Sequence, residues 1–189
     1  MKRLAVYCGS SMGSEAWFAE VARALGEEMA RRGIALVYGG GHRGLMGVVA
    51  DAVLSGGGEA YGVIPQALVD LEVAHKGLTE LHIVSTMHER KALMTELTDA
   101  FVAIPGGVGT LDELFEAWSW NALGYHCKPF ALLNAGDFWG GMIGFLDHVT
   151  RSGFMSPARR AQLIVADSVP GVIDALDGAV GKTEPKMVW

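Results

Sequence analysis

Ala100-Phe101-Val102-Ala103-Ile104-Pro105-Gly106-Gly107-Val108-Gly109-Thr110-Leu111-Asp112-Glu113 joins an apolar run to a helical pattern through three glycines. An uncharged run of this kind reads as a strand buried on both faces, and Leu111, Leu114 and Phe115 open an amphipathic helix. Glycines at such a junction expose several backbone N–H groups to one ligand, and the helix behind them adds its positive end. The same stretch brings a threonine and two acids to the loop. A phosphate-bearing ligand beside a carboxylate is the first chemistry it suggests.

Working outward, apolar runs and amphipathic segments alternate along the chain. Strands are expected at Leu4 to Cys8, Ala35 to Tyr38, Glu59 to Ile64, Leu81 to Val84, Phe101 to Ile104 and Phe130 to Leu133, with a short edge strand at Leu163 to Val165. The first helical pattern carries Phe18, Val21, Ala22, Leu25 and Met29 on one stripe and ends before Gly33. Others run from about Leu45 to Leu54, Met87 to Leu97, Leu111 to Leu123, Phe138 to Thr150 and Val169 to Leu176. Strands apolar on both faces and separated by helices indicate an α/β fold of three layers with a mostly or wholly parallel sheet. One domain is expected over residues 1–180. A tail at 181–189 follows, because Gly181-Lys182-Thr183-Glu184-Pro185-Lys186 has no apolar periodicity.

Composition narrows the function classes. The 189 residues are 50% hydrophobic and only 19% charged, enough for one substantial core. A net charge of -6 argues against broad nucleic-acid binding. Cys8 and Cys127 have neither scaffold nor metal-ligand spacing and read as free thiols in a reducing cytoplasm. The basic start, Met1-Lys2-Arg3, leads into an apolar segment too short for a secretion signal, and no run is long enough to span a bilayer. None of the six histidines sits in a metal motif such as H-E-x-x-H.

In a parallel sheet, ligands bind beyond the carboxyl ends of the strands. Four strand-to-helix turns compete for that role. Gly9-Ser10-Ser11-Met12-Gly13 offers hydroxyls and N–H groups, or is a plain turn with a serine cap. Gly39-Gly40-Gly41-His42-Arg43-Gly44 satisfies G-x-G-x-x-G, but it follows the second strand. The acid that would hold a ribose hydroxyl, Glu59, lies at the wrong end of the next strand, which weakens a dinucleotide reading. Its glycines either let backbone approach a ligand or permit a tight turn, and both readings stand. Thr86-Met87-His88-Glu89 and Thr110-Leu111-Asp112-Glu113 each fit a helix capping box. At Glu113 the adjoining glycines add a second reading, a carboxylate facing the ligand's sugar. Arg90 stands in a first helical turn, where a cation opposes the helix dipole, and on the apolar side of the stripe. Either it snorkels or a site anion balances it. No P-loop sequence is present.

Three motifs taken together resemble the LOG family, cytokinin-activating nucleoside 5'-monophosphate phosphoribohydrolases long described as possible lysine decarboxylases. They are Gly39 to Gly47, Met87-His88-Glu89-Arg90-Lys91-Ala92-Leu93-Met94, and Pro105 to Glu113, and the likeness extends to about residue 178. The resemblance implies a Rossmann-like homodimer that needs no metal or other cofactor. It carries catalytic roles to Arg90 and Glu113, and phosphate, ribose or other substrate contacts to Ser10, Ser11, Met87, Lys91, Gly106, Gly107, Gly109 and Thr110. The implied reaction hydrolyses the N-glycosidic bond of cytokinin riboside 5'-monophosphates or AMP. The alternative is a non-catalytic carrier of nucleotide or molybdenum cofactor. An NAD-dependent enzyme stands third. His42 and Arg43, in the variable middle of their motif, receive no role.

Overall fold

The computed structural model describes residues 1–72 and 74–182, so residues 183–189 of the expected tail lie outside the described residues. Seven strands form one sheet: β1 (Arg3–Tyr7), β2 (Ala35–Tyr38), β3 (Ala60–Pro65), β4 (Glu80–Val84), β5 (Ala100–Ala103), β6 (Phe130–Leu133) and β7 (Leu163–Ala166). Every pairing is parallel and the order is β4-β3-β2-β1-β5-β6-β7. The chain therefore builds outward from β1 in one direction, then returns to β5 and builds in the other. The reversal point lies between β1 and β5, where such sheets open a crevice for ligands.

Alternation along β1 divides the core. Leu4, Val6 and Cys8 face one layer, and Ala5 and Tyr7 face the other. The first layer holds α1 (Trp17–Arg31), α2 (Gly44–Ser55) and the terminal helix, which contribute Phe18, Leu25, Met29, Val49 and Val172. The second holds α4 (Met87–Leu97), α5 (Val108–Ala122) and α6 (Gly140–Arg151), through Met94, Leu114, Trp118 and Leu146. Between the second and fourth of these lies α3 (Gln66–Glu72). Beyond α6 come α7 (Pro157–Arg160) and α8 (Val169–Ala179), the terminal helix named above. The sheet is thus covered on both sides, as its apolar strands require.

Departures from the sequence expectation fall at helix ends and short turns. The expected Phe138 start of α6 belongs to a preceding turn with a 3-10 segment, Ala135–Asp137, in which Asp137 has φ 57°. Helices α3 and α7, of seven and four residues, are too short to generate a readable stripe. Strand β4 is an edge and half exposed, so it does not share the two-sided burial of its neighbours. The largest correction concerns α5. It begins at Val108 with Gly107 as N-cap and no side-chain capping bond, so Thr110 and Glu113 lie inside the helix and form no capping box. At α4 the box is present in shifted form. The Thr86 hydroxyl accepts the Glu89 N–H at 3.1 Å, and the Glu89 carboxylate accepts the Ser85 N–H at 2.8 Å.

Candidate active site

A cleft of about 230 Å³ opens at the reversal point, over the carboxyl ends of β1 and β5. Ser10 and Ser11 line it from the loop after β1, Gly107 and Gly109 from the start of α5, and Arg90, Thr110 and Glu113 from the helices behind. Seven of the ten expected site residues therefore converge on one cavity. Gly106 lines an adjoining cleft of about 310 Å³, which shares Gly9, Ser11 and Gly107 with the first and adds the apolar walls Met12, Phe18, Leu45 and Phe138. Met87 stands at the α4 end, where its sulfur accepts a weak bond from Arg90 Nη1 at 3.7 Å. Lys91 points elsewhere, into an ion pair with Asp112 at 3.1 Å and another with Glu116.

Arg90 is held from several sides. Only 6% exposed, it donates through Nε to the Val63 carbonyl at 3.1 Å and through Nη2 to the Gly39 carbonyl at 3.3 Å. These acceptors lie within β3 and just past β2, so the sheet itself holds the guanidinium. Nη2 then lies 3.8 Å from Glu113 Oε1. Both side chains are largely buried, at 7% and 12% exposure, and desolvation makes such a pair favourable only when its remaining groups are satisfied. Arg90 meets that condition through the two carbonyls. Its cationic place in a first turn is explained by this anion and not by snorkelling.

The second glycine loop serves this arrangement. A Cβ on Gly39 would lie 1.9 Å from Arg90 Nη2. Gly44, at φ 61°, lies against the backbone of Ser10 and Ser11, and the Leu45 N–H donates to the Gly9 carbonyl at 3.0 Å. The loop is a support for Arg90 and for the first serine turn, a use that its G-x-G-x-x-G spacing did not reveal. Gly9 in turn donates to the Pro105 carbonyl at 3.1 Å, so all three glycine segments are tied together. Glu59 precedes β3 at its amino end, as expected, away from the cleft.

What the cleft can hold follows from its groups. Gly107 as N-cap makes no side-chain bond to the first N–H groups of α5, and the helix dipole adds positive potential there. Among the described residues the buried Thr110 hydroxyl has no hydrogen-bond partner. These donors suit a phosphate, and the buried carboxylate next to them suits developing positive charge. Two nearby groups are held out of the chemistry. Burial, reinforced by Glu113, raises the Cys8 thiol far above its ordinary range, so it is no thiolate. Burial first, then Glu113 and Glu116, holds the Tyr7 phenol protonated, with Arg90 working in the opposite direction. His88 faces away, edge-on to Trp120 at 5.8 Å between ring centres. Among the described residues no group of three or more His, Cys, Asp or Glu could hold a metal ion.

Fold and site together define an open, parallel α/β protein of Rossmann-like topology, with an acid–guanidinium pair and an uncapped helix start at its reversal point. The family follows from comparison with known proteins. The model of the family described as possible lysine decarboxylase matches residues 46–176, and the chain belongs to that family, the LOG family. It is 45% identical over 176 residues to the cytokinin riboside 5'-monophosphate phosphoribohydrolase of Rhodococcoides fascians, covering 93% of this chain and 89% of that one. The rice protein of the same name (Oryza sativa subsp. japonica) is 44% identical over 188 residues, covering 100% of this chain and 78% of its own. The fold is shared with the molybdenum cofactor carrier protein of Chlamydomonas reinhardtii at a TM-score of 0.73 and 20% identity, over 96% of this chain and 99% of that one.

Proposed function

We propose that this protein hydrolyses the N-glycosidic bond of cytokinin riboside 5'-monophosphates and of AMP, releasing free base and ribose 5-phosphate. One observation carries the reading: the buried Arg90–Glu113 pair opens onto the same cleft as the uncapped start of α5. The names of the relatives from Rhodococcoides fascians and rice support the same reaction class.

In this reaction the bond between ribose C1' and the base nitrogen breaks, and its electron pair leaves with the base. Positive charge spreads over C1' and the ring oxygen, as in glycoside hydrolysis. Glu113 stabilises that charge and accepts a proton from the attacking water, whose oxygen bonds to C1'; the leaving base takes up a proton. Arg90 keeps the carboxylate ionised and aimed, and anchors the nucleotide. The N–H groups at the start of α5, with the Thr110 and serine hydroxyls, hold the 5'-phosphate. Remote binding energy then positions the sugar, so a phosphorylated substrate should react far better than its nucleoside.

The chemistry of the site speaks against lysine decarboxylation. A Schiff-base lysine must lose its proton to attack a carbonyl. Burial alone would lower the pKa of Lys91, but hydrogen bonds and charge from Glu116 and Asp112 outweigh it and raise the pKa. A carrier without turnover would have no need of the buried acid–guanidinium pair. We further infer a cytoplasmic homodimer. The exposed Leu123 and Tyr125, just after α5, fit a subunit contact, and the free thiols Cys8 and Cys127 fit a reducing compartment.

The test is an incubation of purified protein with AMP, isopentenyladenosine 5'-monophosphate and the matching nucleosides, with released base separated by chromatography. Base is expected from the monophosphates. Folded protein that binds AMP yet releases no base from either would leave the carrier reading in its place.

A further inference from the structure

Arg90 and Lys91 are neighbours on α4, and both reach across to α5. Arg90 meets Glu113 at 3.8 Å, whereas Lys91 meets Asp112 at 3.1 Å and also pairs with Glu116. Adjacent residues on a helix point about 100° apart. Two neighbouring cations that grip one partner helix therefore fix both its distance and its rotation. Glu116 lies three residues beyond Glu113, on the same helical face. The Lys91 and Glu116 side chains are only 16% and 22% exposed, which shields this bridge from solvent, while Asp112 is more open at 55%.

We propose that Glu116, assisted by Asp112, acts through Lys91 as a positioning brace that sets the α4–α5 spacing and thereby the Arg90–Glu113 geometry. The brace rests on the hydrolase reading of the site. It gives Lys91 a task other than holding phosphate: its charge is already engaged by two carboxylates, and it lines neither of the two clefts described above. The raised pKa of Lys91 agrees, because its acids more than offset the effect of burial and keep it a cation. Glu116 and Asp112 touch no reacting atom in this scheme. Their effect is felt in how well the catalytic pair is aligned.

Steady-state kinetics on AMP, with AMP affinity measured by calorimetry, separate positioning from binding. Glu116→Gln and Lys91→Met are each expected to lower kcat by about tenfold to a hundredfold, the scale of a misplacement of about 1 Å. KM and Kd for AMP should stay within about threefold of wild type, and Lys91→Arg should restore most of kcat. A large rise in KM for Lys91→Met with kcat unchanged would make Lys91 a phosphate ligand and overturn the brace. Unchanged kcat in folded Glu116→Gln would overturn it equally. If Glu116→Gln does not fold, Asp112→Asn at the more exposed arm decides: a drop of about threefold in kcat at constant KM supports the brace, and no drop overturns it. Absence of turnover by wild type would instead overturn the hydrolase reading, and the brace with it.

Discussion

Gly39→Ala offers a sharp test of how the sheet presents Arg90. The added methyl would lie 1.9 Å from Nη2, 3.1 Å from Cζ and 3.3 Å from Met46 Sδ. Comfortable packing needs about 3.5 Å, so the guanidinium must retreat by roughly 1.5 Å or the strand end must shift. The side chain is the softer of the two. Retreat would give up its 3.3 Å bond to the Gly39 carbonyl and disturb the 3.8 Å approach to Glu113, leaving a buried charge less well satisfied. A hydrogen bond to a charged group contributes about 1.5–3 kcal/mol. Stability should therefore fall by that order, while the backbone fold persists.

Catalysis should suffer more. A displacement of about 1 Å at a positioned group can cost a hundredfold in rate, so kcat/KM for AMP is expected to drop about a hundredfold or more. Gly144→Ala supplies the control, since a Cβ there meets nothing within 4 Å in the middle of α6. It should leave turnover intact and raise stability by roughly 0.5–1 kcal/mol through helix propensity. Thermal melts and base-release kinetics on both variants read the two quantities separately. Wild-type turnover in Gly39→Ala would refute the account of Arg90 as the group this glycine makes room for.

Further outcomes follow from the same geometry. Glu113→Gln should lower kcat by about 10²–10⁴-fold while retaining AMP binding by calorimetry; undiminished kcat would remove Glu113 from the reaction. Because Gly107 and not Thr110 caps α5, Thr110→Val should leave the helix in place by circular dichroism yet raise KM for the monophosphate, and an unchanged KM would exclude its hydroxyl from phosphate binding. Burial first, then Lys128, lowers His126 from 6.5 to about 4, with the Ala117 backbone opposing. The unfolded chain thus binds the extra proton more readily, so stability is full above pH 6.5 and declines as pH falls toward 4. Allowing for partial exposure, this amounts to about 2 kcal/mol, and urea titrations of His126→Gln should lack that part of the pH slope.

The inner strands of the sheet were legible because they obey one simple rule, which the edge strands β4 and β7 do not share. Ala100 to Ala103 and Phe130 to Leu133 are buried throughout, so their apolar character is uninterrupted and their places in the chain stand out. Long helices were legible where one stripe is buried, as Phe18, Ala22, Leu25 and Met29 are in α1. Short elements gave no such signal, and α7 owes its start to the Ser156 hydroxyl accepting the Arg159 N–H at 3.2 Å, a local bond without a period. Strand order is a long-range property that no local pattern encodes. Parallel crossovers implied a reversal point somewhere, and the pairing of β1 with both β2 and β5 locates it.

The site shows why a helix-start pattern is a weak guide to the function of its residues. Thr86 to Glu89 and Thr110 to Glu113 have the same spacing, yet only the first caps its helix. The difference lies upstream: Ser85 and Thr86 can take an extended backbone and offer a hydroxyl, whereas Gly107 starts α5 early and leaves Thr110 inside it. That early start moves Glu113 to the second turn, where it faces Arg90 instead of its own backbone. It also leaves the first N–H groups of α5 without a side-chain cap. The glycines before Thr110 thus have two linked effects: they open a helix end to an anion and free a carboxylate for the sugar beside it.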